Sequence, residues 1–195
     1  MQKIILASAS PRRKKILTQA GIPFEILPSG IDEELNDELS PYEMVKTLSE
    51  KKALHAADKA EHPVFIVAAD TIVDLNGRII GKPADKQDAY NTLKKLQGRK
   101  HFVYTGVTLI KKTAEGLTIK HIIDNTAVYM RHMSDDEIWA YIETGEPMDK
   151  AGAYAIQEKG SLFVERIEGD FYTVEGLPVV RVYQELKNMG LETEI

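Results

Sequence analysis

The apolar positions of this chain follow two rhythms. Short unbroken runs, "KIILAS" (3–8) and "PVFIVAAD" (63–70), have the length and branched content of strands buried on both faces, the second ending in a carboxylate. Elsewhere apolar residues recur at helical spacing behind start signals. Ser10-Pro11 places a serine N-cap ahead of a proline at the first helical position, predicting a helix over 11–21 closed by Gly21. Ser40 with Glu43, and Ser134 with Glu137, read as capping boxes that open helices running to about 59 and about 143. Further helices are predicted over 85–97, ending at Gly98, and over 176–190, with Pro178 near its start.

The strand pattern fills the remainder. "IPFEILPS" (22–29) predicts a second strand, and Asn76-Gly77 between apolar flanks is a strong hairpin signal. Two long β-type stretches, 100–112 and 117–132, meet at "TAEG" (113–116). A hairpin that long implies a strongly twisted or curved sheet. "GEPMDKAGAYAIQEKG" (145–160) mixes turn and strand signals, and "SLFVERIEG" (161–169) reads as a strand with a turn. No repeat, low-complexity segment or linker interrupts the chain, so one domain over 1–195 of mixed α/β, or α+β, class is expected.

Composition narrows the function classes. The 195 residues are 43% hydrophobic and 28% charged, ordinary for a globular domain with a sizeable core. A net charge of −5 argues against a general nucleic-acid coat. The absence of cysteine excludes disulfides, thiolate metal sites and a cysteine nucleophile. No apolar stretch has the length of a membrane span or a signal h-region, so the expected setting is cytoplasmic, with no membrane partner.

Against this acidic background "ASASPRRKK" (7–15) stands out, because Arg12, Arg13, Lys14 and Lys15 crowd the first turn of a helix. A cation there opposes the positive end of the helix dipole by a few tenths to about 1 kcal/mol. Either the four side chains are a solvated basic face, or the strand–loop–helix corner is an anion cradle in which serine hydroxyls, backbone N–H groups and guanidiniums converge on phosphate. Asp70 at the end of its apolar run either faces a site or hydrogen-bonds a turn. Asp32, Glu33 and Glu34 lie in an acidic loop; one of them with Asp70 would supply the one or two carboxylates that Mg²⁺ takes alongside phosphate oxygens. Lys82 is braced by Gly81 and Pro83, whereas Lys52 in "EKKA" has the pattern of ordinary helix surface. "PMDKAGAY" (147–154), with Asp149, Lys150, Gly152 and Tyr154, either lines a pocket or makes a turn, and the five histidines show no ligand spacing.

Taken in order, "LASASPRR", "AADTIV", "GKP", "EPMDKAGAYAIQ" and "GLP" resemble the Maf family of nucleoside triphosphate pyrophosphatases, first named as septum-formation proteins, over residues 4–185. The resemblance implies a fold similar to the inosine-triphosphate pyrophosphatases: a long curved mixed sheet flanked by helices, with a cleft between two lobes. It implies cleavage between the α and β phosphates of a nucleoside triphosphate, with Mg²⁺ or Mn²⁺ as the divalent cation. Carried over residue by residue, Ser8, Arg12 and Arg13 fall in the phosphate-binding loop, and Lys52 and Lys82 are further cationic contacts. Asp70 is the general base, with Glu33 and Lys82 beside it in the catalytic set; Asp70 and Glu33 are also the metal carboxylates. A tight metal ligand makes a poor base, so the division of labour between the two acids stays open.

Arg12, Thr71 and Gln157 resemble the branch of the family acting on dTTP and UTP. The branch acting on 7-methyl-GTP is the first alternative and needs an aromatic stacking surface, for which the only tryptophan, Trp139, lies on the predicted helix 135–143. The second is a non-catalytic, nucleotide- or nucleic-acid-binding regulator of septum formation; a role in cell-division arrest is compatible with catalysis as well. An apolar patch at Trp139, Tyr141 and Ile142 is what the sequence offers for a homodimer.

Overall fold

Both capping boxes open the helices they predict. In the computed structural model, which describes residues 2–31 and 38–192, the chain runs β1 (Ile4–Leu6), α1 (Pro11–Gln19), β2 (Glu25–Ile26), α2 (Pro41–Lys59), β3 (Val64–Leu75) and β4 (Arg78–Ile80). It continues α3 (Lys86–Leu96), β5 (Lys100–Thr113), β6 (Gly116–Met130), α4 (Asp135–Glu143), β7 (Val164–Glu168), α5 (Phe171–Glu175) and α6 (Val179–Asn188). Three 3₁₀ turns fill the segment between α4 and β7. At α2 the Ser40 hydroxyl accepts from the Glu43 amide, and the Glu43 carboxylate accepts from the Ser40 amide at 3.0 Å. Ser134 and Glu137 repeat the arrangement at α4.

Four expectations need correction. The Ser10 hydroxyl makes no cap; Pro11 opens α1 alone, and the Ser10 amide donates instead to Ser8 Oγ at 3.2 Å. The strand expected over 22–29 shrinks to Glu25–Ile26, because prolines at 23 and 28 remove the N–H groups a longer ladder needs. Asp70 is not at a strand end, since β3 runs on to Leu75. The helix expected over 176–190 starts at Val179; before it a separate short helix, α5, is capped by Asp170, whose carboxylate accepts from the Tyr172 and Thr173 amides, and is ended by Gly176 at φ +109°.

The strands form one sheet in the order β2-β1-β3-β5-β6-β7, with β4 pairing β3. β1 runs parallel to β2 and β3, and the remaining pairs are antiparallel. β5 occupies one edge of β3 for nearly its whole length. The other edge is shared: β1 pairs it up to Val67 and β4 takes over at Val73. The interval between, which contains Asp70 and Thr71, is covered by neither strand. Alternation then sorts the side chains. Phe65, Val67 and Ala69 face a core built with Ile16 and Leu17 of α1 and Val182 and Leu186 of α6. Val73 and Leu75, on the same face, belong to a second core with Leu93 and Leu96 of α3 and Ile138 and Ile142 of α4. Two lobes therefore rest on one face of one sheet, with Thr71 at the divide.

The opposite face is covered by α2. Its close approach depends on Gly106 of β5, where an added Cβ would lie 2.5 Å from the Val45 carbonyl oxygen. Gly106 is also the residue paired with Asp70 across the β3–β5 ladder. Among the described residues no helix is long and apolar enough to cross a membrane. Tyr141 and Ile142 are buried, and Trp139 stacks on Tyr90 with ring centroids 5.0 Å apart. The patch expected at these residues is thus buried at Tyr141 and Ile142 and half-buried at Trp139.

Because the obstacle at Gly106 is backbone rather than a movable side chain, Gly106→Ala is expected to push α2 off the sheet. A loss of about 1–3 kcal/mol, typical of overpacking, should appear as a lower urea midpoint with an unchanged slope.

Candidate active site

A cleft of about 440 Å³ opens where the two lobes meet, within the range of small-molecule sites. Ser8, Arg12, Arg13, Lys52, Asp70, Thr71, Lys82 and Gln157, separated by up to 149 positions in sequence, all line it. Glu33 lies outside the described residues. The corner Ser8–Arg13 reaches the cleft because β1 stops after Leu6 and the chain turns straight into α1. The strap after α4 forms the opposite wall through Asp149, Lys150, Tyr154 and Gln157, and Val73 and Val103 belong to the floor. The strap is fastened to the loop bearing Lys82 by a bond from the Gly152 amide to the Gly81 carbonyl, 3.1 Å.

The four cations of the first turn divide in two. Lys14 and Lys15 are exposed, as a solvated face would be. Arg13 turns inward and uses its fork: Nε donates to the Gly176 carbonyl at 2.8 Å, Nη1 to Ser8 Oγ and Nη2 to Thr71 Oγ1, each at 3.1 Å. The hydroxyl order beyond it can be deduced. Thr105 Oγ1 gives its proton to the Thr173 carbonyl, so in the 2.9 Å contact between Thr71 and Thr105 the donor is Thr71. A directional chain thus runs from Arg13 through β3 and β5 to α5. Gly176 is required where it stands; besides its positive φ, a Cβ there would come 3.2 Å from Thr71 Oγ1. Arg12 is held more loosely, 3.4 Å from the largely exposed carboxylate of Asp149.

Lys52 departs most from its sequence pattern. It is 5% exposed and forms a buried ion pair with Asp70, which overturns the surface reading of "EKKA". Lys150, also buried, donates to the Glu146 carbonyl and to Asp149 Oδ1, both at 2.7 Å, and so braces the strap. Two groups were missed by sequence reasoning. Glu175 lines the cleft with its carboxyl pushed up by burial, an effect that Lys15 and Arg12 oppose, and the Gly176 carbonyl anchors Arg13. Glu175 has no sequence signal, because its place depends on the unforeseen helix α5; Gly176 opens the "GLP" motif, but the role of its carbonyl depends on that helix too. Trp139 is not among the residues lining the cleft. Among the described lining residues, the five cations Arg12, Arg13, Lys52, Lys82 and Lys150 face three carboxylates, Asp70, Asp149 and Glu175, although the whole chain carries −5. An acidic protein that concentrates cations in one cleft is built to receive a polyanion.

Comparison with known proteins gives the family. Residues 3–189 match the family model described as Maf-like protein. A dTTP/UTP pyrophosphatase of Alkaliphilus oremlandii is 49% identical over 190 residues, 96% of each chain. Another, from Caldicellulosiruptor bescii, is 47% identical over 195 residues, covering 98% of this chain and 97% of its own. Among solved structures, the Ham1 protein of Staphylococcus aureus covers 95% of this chain and 100% of its own at a TM-score of 0.50 and 13% identity, a likeness of fold alone. The chain belongs to the Maf-like protein family, and its mixed sheet with two flanking lobes is the architecture the resemblance implied.

Arg13→Lys keeps the charge but not the planar fork that joins Ser8, Thr71 and Gly176. Losing charge-assisted bonds of this kind is expected to lower unfolding stability by about 1.5–3 kcal/mol, measured by denaturant titration. A second expectation concerns His101 on β5, whose imidazole burial pushes down from 6.5 to about 4. The unfolded chain binds that proton more readily than the folded one, so the contribution is complete above pH 6.5 and is lost as pH falls towards 4. On the order of 3 kcal/mol should disappear across that window, and His101→Gln should flatten the slope.

Proposed function

We propose that this Maf-like protein hydrolyses dTTP and UTP to the nucleoside monophosphate and pyrophosphate, by attack of water on the α-phosphorus. The observation that carries the reading is the cation-rich cleft of an acidic chain with a buried carboxylate, Asp70, on its wall. The relatives named dTTP/UTP pyrophosphatase support the substrate class.

In this reading Asp70 accepts the proton of the attacking water, and Lys52 holds the carboxylate in place. Charge developing on the departing pyrophosphate is neutralised by Arg12, Arg13 and Lys82. The two arginines do unequal work. Arg13 organises the cradle through its three bonds, while Arg12 needs only to exchange a 3.4 Å contact with Asp149 for a phosphate oxygen. Gln157 reads the base: its Nε2 is buried in the cleft wall without a hydrogen-bond partner among the described residues, and a carboxamide is complementary to the imide of uracil or thymine.

Among the described residues no three His, Cys, Asp or Glu side chains are grouped to hold a metal ion. A divalent cation arriving with its triphosphate would need only one or two carboxylates beside the phosphate oxygens; with Asp70 taking the proton, Glu33 is the carboxylate the resemblance leaves for the metal. Mg²⁺ or Mn²⁺ bound so would neutralise phosphate charge and make a nearby water more acidic.

Pyrophosphate release with Mg²⁺ or Mn²⁺ across dTTP, UTP, CTP, 7-methyl-GTP and ITP tests the reading. Selective turnover of dTTP and UTP is expected, with Asp70→Asn lowering kcat by roughly 10²–10⁴-fold, the usual contribution of a general base, at a similar KM. Near-normal turnover by that variant would remove Asp70 from the role of base, and no turnover of any nucleotide by wild type would overturn the activity itself.

A further inference from the structure

One pair of polar side chains lies beneath the cleft and takes no part in the phosphate cradle. His101, 1% exposed, places Nε2 at 2.7 Å from the Tyr154 hydroxyl, with the two rings edge-on at 5.4 Å. Tyr154 lines the cleft, as does Val103, which follows His101 by two positions on the same face of β5. His101 Nδ1 is buried with no partner among the described residues. Because burial holds the imidazole neutral, the ring carries a single proton.

The placement of that proton follows from counting donors. The pair owns two, the imidazole N–H and the phenol O–H, and shares one hydrogen bond. With the ring proton on Nδ1, a buried N–H has no acceptor and the phenol proton is used on Nε2. With it on Nε2, the imidazole donates to Tyr154 Oη, Nδ1 keeps only a lone pair, and the donor left over is the phenol O–H of a residue that lines the cleft. A donor left at the cleft lining can be met by water or by a ligand, whereas an N–H on Nδ1, away from the lining, has no acceptor, so the second tautomer is favoured. The backbone has been bent to put the phenol there. Gly152 at φ +72° is followed by Ala153 at φ +58°, a left-handed conformation that alanine rarely adopts. Ala153 is fully buried and immediately precedes Tyr154. Strain fixed by surrounding packing beside a cleft residue points towards function.

We infer that His101 is a positioning residue: its Nε2–H holds Tyr154 Oη so that the phenol O–H faces the cleft as a hydrogen-bond donor to an acceptor oxygen on the nucleoside part of the bound nucleotide. The nucleoside part is indicated because Tyr154 stands on the strap, three residues from Gln157 and in the second core with Val73 and Val103, whereas Arg13 and Ser8 lie at the opposite wall. The inference rests on the hydrolysis of pyrimidine nucleotides proposed above, and adds to it a donor and the group behind that donor.

The test compares Tyr154→Phe, His101→Leu, His101→Gln and the Tyr154→Phe/His101→Leu double variant in the full chain. Two quantities are read: steady-state constants for dTTP, and the Kd of dTMP by titration calorimetry. Loss of one hydrogen bond should raise KM and the dTMP Kd roughly tenfold in Tyr154→Phe and in His101→Leu, with kcat within about twofold. The double variant should be no worse than either single one. His101→Gln, which can present an amide N–H near the position of Nε2, should restore most of the affinity. The inference is overturned if Tyr154→Phe leaves both constants unchanged, if the two effects multiply, or if glutamine is no better than leucine. Should His101→Leu fail to fold, the dTMP Kd of Tyr154→Phe decides alone. A wild type that binds dTMP yet releases no pyrophosphate would sink the proposed hydrolysis while the dTMP titrations still judge Tyr154; one that binds no dTMP overturns the inference as well.

Discussion

The buried ion pair between Lys52 and Asp70 organises this molecule more than any other contact. Two opposite charges out of water are tolerable only together, and removing either one from a buried pair generally costs about 3–5 kcal/mol. Their meeting sets three conditions on the fold. β1 must end early enough, and β4 begin late enough, to leave the middle of β3 open to the cleft. α2 must lie close against the sheet for a lysine to reach a strand residue. Position 106, opposite Asp70, must then lack a side chain, because the Val45 carbonyl occupies that space.

A second tie works on the other face of the sheet. Arg13, Thr71, Thr105 and the Thr173 carbonyl form a line of donors and acceptors in which every hydroxyl has one assignable role. The line joins α1, both central strands and α5, so the position of the guanidinium depends on elements more than a hundred residues away in the chain. Buried polar chains of this kind are stable only when all members are satisfied. Arg12, one residue earlier, lacks such support and remains able to change partners.

Local signals in the sequence were read well. The serine–glutamate capping boxes, the Asn76-Gly77 turn and the long hairpin over 100–132 each rest on neighbours within a few positions, and each is present. Lys52 shows where local reading ends. Its neighbours Glu50, Lys51 and His55 are those of a solvated helix face, and what buries it is a strand arranged by an absent side chain fifty-four positions later. Only the ordered set of motifs, which carries the imprint of the whole fold, indicated its place at the cleft. The same reason hid α5, whose "FYTVE" is rich in aromatic and branched residues that favour strands; Asp170 and packing against α1, β5 and β6 make it helical. The apolar residues at 141 and 142 likewise suggested a surface, because periodicity tells that a face is apolar but not what covers it.

The two lobes share the odd-numbered face of β3, with Ala69 in one core and Val73 in the other. Four residues of extended chain span about 13 Å. The gap between the lobes is therefore a ruler cut into a single strand, not the distance between two jaws on a hinge. Widening it would require stretching or bending a ladder held by β5 along nearly its whole length. Selection by size in such a molecule is set when the sheet folds, and the strap, anchored to the Gly81 carbonyl and to the second core, only completes the wall.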